Sequence, residues 1–252
     1  MNISVTQPRL SLAKRANNLS ILGDMVRKEA QRTPAPDLIV LPDCCVATQE
    51  TAPQSNVTTA MCQGFAEAFA WWAREWGVWI AVGHSTQTDD GLKEVATLFD
   101  PDGDPFIRAS NPRTTNNPRT TNNPRTTGNP ADDPWVIRNS PIGRIALCSW
   151  NAPTMDACPP IESKRSPDLI IIPAINPNRS AIEIISKAHN TYAVFAGCVL
   201  DGPGDKAQGF VADRSGQIIA ETTIGKASSA FASVDVDPCN TPDEWEANEV
   251  IE

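Results

Sequence analysis

Short apolar runs alternate with long amphipathic segments along this chain, and that alternation restricts it to sheets covered by helices. DLIVLPD (Asp37 to Asp43), WIAVG (Trp79 to Gly83), the run Arg144 to Leu147 that delivers Cys148, and DLIIIPAINP (Asp168 to Pro177) read as buried strands that empty into loops at their C-terminal ends. Between them Leu12, Ala16, Leu19, Leu22, Met25 and Val26 recur at helical spacing from Ser11 to about Arg32. Met61, Phe65, Phe69 and Trp72 line one side of a second helix, from about Asn56 to Glu75, which Gly77 stops. Ser180 to Tyr192 reads as a third helix.

Ile3 to Val5, Ala193 to Leu200 and Ala230 to Val236 are further strands. Val95 to Phe99 meets Pro105 to Ile107 through the turn Asp100 to Gly103, and Gly209 to Thr222 folds back at Asp213 to Gly216, so each is a hairpin. Two β-α-β-α blocks, each followed by a hairpin, predict an α/β fold of two mixed sheets packed together with helices outside.

The 252 residues are enough for one large domain. A net charge of −9 argues against nucleic-acid binding, which needs a basic face. No apolar run approaches the length of a membrane span, and MNISVTQPRL lacks the apolar region of a signal peptide. The seven cysteines are scattered with no C-x-x-C, and only His84 and His189 accompany them, so no metal site is expected. The thiols read as reduced and the location as cytoplasmic. The absence of G-x-x-x-x-G-K and G-x-G-x-x-G leaves no support for a nucleotide, and no cofactor is expected.

From Asn111 the hexamer NPRTTN, NPRTTN, NPRTTG repeats three times and ends at Asn129-Pro130. With a proline and an asparagine in each unit and no large apolar residue, it reads as a low-complexity surface loop without regular structure. A basic contact arm is the alternative, since Arg108, Arg113, Arg119 and Arg125 precede any acidic residue before Asp132.

Two residues could carry chemistry. Cys148 closes an apolar strand, where α/β folds place reactive groups, and a thiol there needs a base and an oxyanion donor. Asp43 closes another and is a candidate base. The bland alternatives are a packing thiol and a loop or cap residue. A Cys–His hydrolase would need His84 or His189 beside Cys148, and nothing in the sequence pairs them.

Strand–LPD after a long first helix, DPDG before a hairpin, PIGRIALC, DLIIIP and DRSGQIIAET, taken in order from Asn2 to about Asp237, resemble the nitrilase (carbon–nitrogen hydrolase) superfamily. The resemblance implies a four-layer α-β-β-α sandwich over residues 1–238, with the repeat loop at 111–130 and a polar acidic tail at 239–252. It implies a Glu–Lys–Cys triad that acts on small amides or nitriles through an acyl-thioester, and a homo-oligomer built by packing sandwiches together.

Carried over by position, the nucleophile falls on Cys148 and the general base on Asp43, one methylene shorter than glutamate. The lysine position falls on Asn111, with Arg108 or Arg113 as possible substitutes for its charge. The second glutamate would fall in the repeat, and the aromatic–acid pair after the cysteine is replaced by Ser149-Trp150-Asn151. An active amidase-type hydrolase and a non-catalytic binding or structural relative both follow from this pattern.

Overall fold

The computed structural model describes residues 1–11, 15–43, 59–88, 91–110, 135–149, 166–174, 179–200 and 207–238. The elements run β1 (Asn2–Gln7), β2 (Arg9–Leu10), α1 (Arg15–Ala30), β3 (Leu38–Asp43), α2 (Thr59–Trp76), β4 (Trp79–Thr88), β5 (Gly91–Phe99) and β6 (Pro105–Ser110). The second half follows with β7 (Trp135–Ser140), β8 (Gly143–Cys148), β9 (Leu169–Pro173), α3 (Arg179–His189), β10 (Tyr192–Ala196), β11 (Val199–Leu200), β12 (Phe210–Ala212), β13 (Ile218–Glu221) and β14 (Ser228–Ser233).

Two six-stranded mixed sheets form, in the orders β14-β1-β3-β4-β5-β6 and β13-β12-β10-β9-β8-β7. In each, three parallel strands (β1, β3, β4 and β8, β9, β10) sit inside antiparallel neighbours. Strand alternation divides the apolar residues into three layers. Ile3, Val5, Leu38, Val40, Leu98, Ile145, Leu147 and Ile171 pack between the sheets. Ile39, Leu41, Ile80 and Val82 meet Leu22, Phe65, Phe69 and Trp72 of α1 and α2 on the outside of the first sheet. Ile170, Ile172 and Phe195 meet Ile182 and Ile185 of α3 on the outside of the second. This is the expected α-β-β-α sandwich of two mixed sheets.

The two hairpin turns repeat one device. The side-chain oxygen of Asp100 accepts the N–H groups of Asp102 and Asp104, and that of Asp213 accepts those of Ser215 and Gln217. Gly103 and Gly216 complete the turns at φ +83° and +86°, and a Cβ on either would lie 2.5 Å from a helix carbonyl, Ala70 O of α2 or Glu183 O of α3. Only glycine serves where a left-handed turn abuts a helix backbone.

Several boundaries differ from expectation. The third helix stops at His189 because Asn190 turns left-handed (φ 49°) and the Thr191 N–H closes on Ser186 O at 3.1 Å, so Tyr192 opens a strand instead. Ala193 to Leu200 is two strands, the second of which leaves the sheet to pair with β2. β4 continues to Thr88, β5 begins at Gly91 and β6 reaches Ser110, so His84, Lys93 and Arg108 lie inside strands. The NPRTT repeat and the tail after Pro238 lie outside the described residues. Among the described residues no helix is long and apolar enough to cross a membrane.

Candidate active site

The C-terminal ends of the parallel strands in both sheets meet at one edge of the sandwich. β2 directly follows β1, β11 follows β10, and the two pair in parallel, with the Val199 N–H donating to Pro8 O at 2.9 Å. Beyond β8, the Ser149 hydroxyl crosses to the first sheet and donates to the main-chain carbonyl of Glu94 at 3.4 Å. Asp43 and Cys148, which end β3 and β8, therefore lie at the same edge. The connections that leave Asp43, Ser110, Ser149, Ala174 and Leu200 also start here, where open α/β sheets bind ligands.

Asp43 reaches its place through a bulge. Val40 pairs with Ala81, but Asp43 pairs with Gly83, so β3 carries one extra residue between them. Unbroken alternation from Val40 would turn Asp43 toward the helices. The extra residue instead puts it on the same face as Gly83, toward the space between the sheets. Gly83 leaves the room, for a Cβ there would lie 2.8 Å from the Asp43 Cα and 3.2 Å from its Cγ. Asp43 is 8% exposed.

Cys148 is fully buried. It pairs with Trp135 of β7 and belongs with Ala146, Ile170 and Ile172 to the layer beneath α3, whereas Ile145 and Leu147 face the first sheet. The two candidates thus share an edge but leave their strands on different faces.

The basic residues of the β5–β6 hairpin, Lys93 and Arg108, both point to the helix side. Lys93 pairs with Thr86 and Arg108 with Thr97, each on that face. Arg108, one residue out of phase with the inward Ile107 and Ala109, cannot supply charge between the sheets. Asn111 and Arg113 lie outside the described residues.

The histidines sit elsewhere. His84 packs under Phe69 of α2, with ring centroids 6.2 Å apart. Its Nδ1–H donates to Ser85 O at 3.2 Å, which leaves Nε2 to accept the Thr97 hydroxyl at 2.9 Å. Burial, with the nearby Arg108 charge adding to it, pushes the His84 pKa down to about 4, so the ring is neutral. His189 ends α3 where β10 begins, at the edge opposite Cys148. Neither is placed to serve as a base for the thiol. Among the described residues no three His, Cys, Asp or Glu side chains gather to hold a metal ion.

Sequence reasoning missed Glu94. It is 8% exposed, lies opposite Ser85, and is in phase with Ala96 and Leu98 of the layer between the sheets. The signal was present: a carboxylate two residues before Ala96 continues that face once the strand is begun at Gly91 instead of Val95. A cleft of about 310 Å³ bordered by Asp37, Trp76, Trp79 and Ile142 lies at the far edge, where β3 and β4 begin.

No protein-family model matches the sequence, and no curated protein does. Among solved structures the chain is similar to the amidase from Nesterenkonia sp. AN1. A glutamate-to-glutamine mutant, which shows Michael addition of acrylamide at the active-site cysteine, aligns with TM-score 0.72 and 13% identity over 93% of each chain. The same mutant with the acetamide moiety of fluoroacetamide on that cysteine aligns with TM-score 0.73 and 12% identity over 93% of this chain and 90% of that one. A cysteine-to-serine mutant, described as from the nitrilase superfamily, gives TM-score 0.71 and 13% identity over 93% and 92%. The fold is that of the nitrilase-superfamily amidases.

Proposed function

We propose that this chain is a carbon–nitrogen hydrolase of the amidase type, with Cys148 as nucleophile and Asp43 as general base. The observation that carries the reading is the meeting of these two strand ends at one edge of a sandwich whose solved relatives are amidases with an active-site cysteine. The sulfur would add to the carbonyl carbon of a small amide, giving an acyl-thioester that water then releases. Asp43 would take the thiol proton and return it. An oxyanion donor is also required, and removal of one such donor typically lowers the rate by two to three orders of magnitude. Arg108 and Lys93 face away from this space.

A second reading, a non-catalytic relative that keeps the fold as a binding or structural subunit, is favoured by the packing of Cys148 among Trp135, Ile170 and Ile172 at zero exposure. Intact-protein mass spectrometry over a panel of small aliphatic amides, with Cys148→Ala as control, separates the two. An acyl adduct on Cys148 and amide turnover are expected from the hydrolase. Their absence across the panel, with the protein folded, rejects it in favour of the second reading.

A further inference from the structure

The cleft where β3 and β4 begin stands apart from the candidate active site. Asp37 precedes β3 and Asp43 ends it, so about 20 Å of strand separates the two. At about 310 Å³ the cleft matches the smaller binding sites for small molecules. Two tryptophans wall it, Trp76 at the end of α2 and Trp79 at the start of β4. Trp79 is 7% exposed and is held edge-on against Phe106, with ring centroids 5.2 Å apart. Asp37 is tied to the same frame. Its carbonyl accepts the Trp79 N–H at 3.0 Å, and its Oδ2 accepts the Asn2 N–H at 2.7 Å.

The electrostatics of this cleft run one way. Among the described residues that line it, Asp37 alone carries a charged side chain. Ala30 and Trp76 are the last residues of α1 and α2, so both helices bring the negative ends of their dipoles to it. Pro101, another wall residue, belongs to the turn that carries Asp100, Asp102 and Asp104. The cations nearby are engaged elsewhere. Arg27 pairs with Asp24, and Arg32 pairs with Glu29 and lies over the Phe231 ring. Arg74 donates to the Asp102 carbonyl, and Arg138 covers the Phe106 ring and donates to its carbonyl. Lys28, in the last turn of α1, does not line the cleft.

We propose that this cleft binds a small organic cation of the substituted-ammonium class, at a site separate from the amide chemistry. Indole rings attract such cations, and a carboxylate with no competing cation on the same wall adds a charge partner. The alkyl groups of the ligand lie against Trp76 and Trp79 and its charge beside Asp37. A bare metal ion does not fit, because one carboxylate supplies too few oxygens and no metal-binding group gathers among the described residues. A neutral apolar ligand fits less well, since it would strip water from Asp37 and return no charge.

The test is calorimetric titration of the full chain with choline and with its uncharged isostere, in which a tert-butyl group replaces the trimethylammonium. Choline is expected to saturate in the millimolar range or below, and the isostere to bind at least about tenfold more weakly. Asp37→Asn keeps an acceptor for the Asn2 N–H and removes only the charge. It should weaken choline binding by about tenfold and leave the isostere unchanged, whereas Trp76→Leu should weaken both. Choline that does not saturate, an isostere that binds equally well, or undiminished choline binding by a folded Asp37→Asn protein overturns the proposal. If Asp37→Asn does not fold, the wild type decides by nuclear magnetic resonance. Choline must then move the indole N–H signal of Trp76, identified by its loss in Trp76→Leu, and shifts confined to other tryptophans overturn the proposal equally.

Discussion

Gly83 and Asp43 lie face to face across β3 and β4, so close that a Cβ on the glycine would sit 2.8 Å from the aspartate Cα. The obstacle is backbone, which cannot move aside as the tip of a side chain would. Gly83→Ala is therefore expected to destabilise the fold by about 1–3 kcal/mol, as overpacking does. It should also displace Asp43 and lower whatever activity depends on it. Denaturant unfolding of the variant checks the first part, and a change below a few tenths of a kcal/mol would mean that the bulge yields freely.

The His84 ring ties stability to pH. Its folded-state pKa is about 4 against 6.5 for the free side chain, so between those values the unfolded chain binds more protons than the folded one. The contribution is complete above pH 6.5 and is lost as pH falls toward 4, on the order of 3 kcal/mol in all. His84→Phe keeps an aromatic ring beside Phe69 and removes the titration. Its unfolding free energy should be lower at neutral pH, since Ser85 O loses a donor and the Thr97 hydroxyl an acceptor, but flatter between pH 6.5 and 4. Parallel curves for wild type and variant would show that His84 is not the titrating group.

The central strands were legible because a strand buried on both faces must be apolar throughout, and DLIVLPD, RIALC and DLIIIP allow little else. The two D-x-x-G turns were legible because the aspartate and glycine carry the turn chemistry themselves. What was hidden was phase. A single extra residue in β3 turns Asp43 inward, and a strand begun four residues late conceals that Glu94 shares the face of Ala96 and Leu98. Arg108 failed as a substitute cation for the same reason, since one residue of phase moves it to the helix side. Such pairings depend on neighbours distant in sequence, which local patterns do not encode.

The repeat connects two strand ends that already lie at the same edge. Ser110 ends β6 beside Val95, Trp135 opens β7 beside Cys148, and β6 and β7 pack against each other. Its composition offers little apolar area to offset ordering, and closure entropy changes slowly with loop length, by about 0.6 kcal/mol per doubling. Deleting two hexamers is therefore expected to leave the melting temperature nearly unchanged. A fall of many degrees would show that the repeat packs on the core.

Cys148 lies at the edge that holds Asp43 and Glu94, while the hairpin's own cations, Lys93 and Arg108, face the helices. Cys148 is fully buried, so the wild-type thiol should react slowly with iodoacetamide at neutral pH. Asn111, the position on which the lysine of the resembled triad falls by sequence, directly follows Ser110. A lysine introduced there would supply the triad's cation, and Asp43→Glu would restore the missing methylene. The double variant Asp43→Glu, Asn111→Lys is expected to alkylate about tenfold faster than wild type, because a cation beside a thiol favours its reactive anion. Rapid alkylation of the wild type, abolished by Cys148→Ala, would instead reveal a cation already at the thiol and an active site more complete than the described residues indicate. No acceleration in the double variant would mean that Cys148, packed beneath α3, is held away from the space that Asp43 faces, and the non-catalytic reading would then be the stronger one.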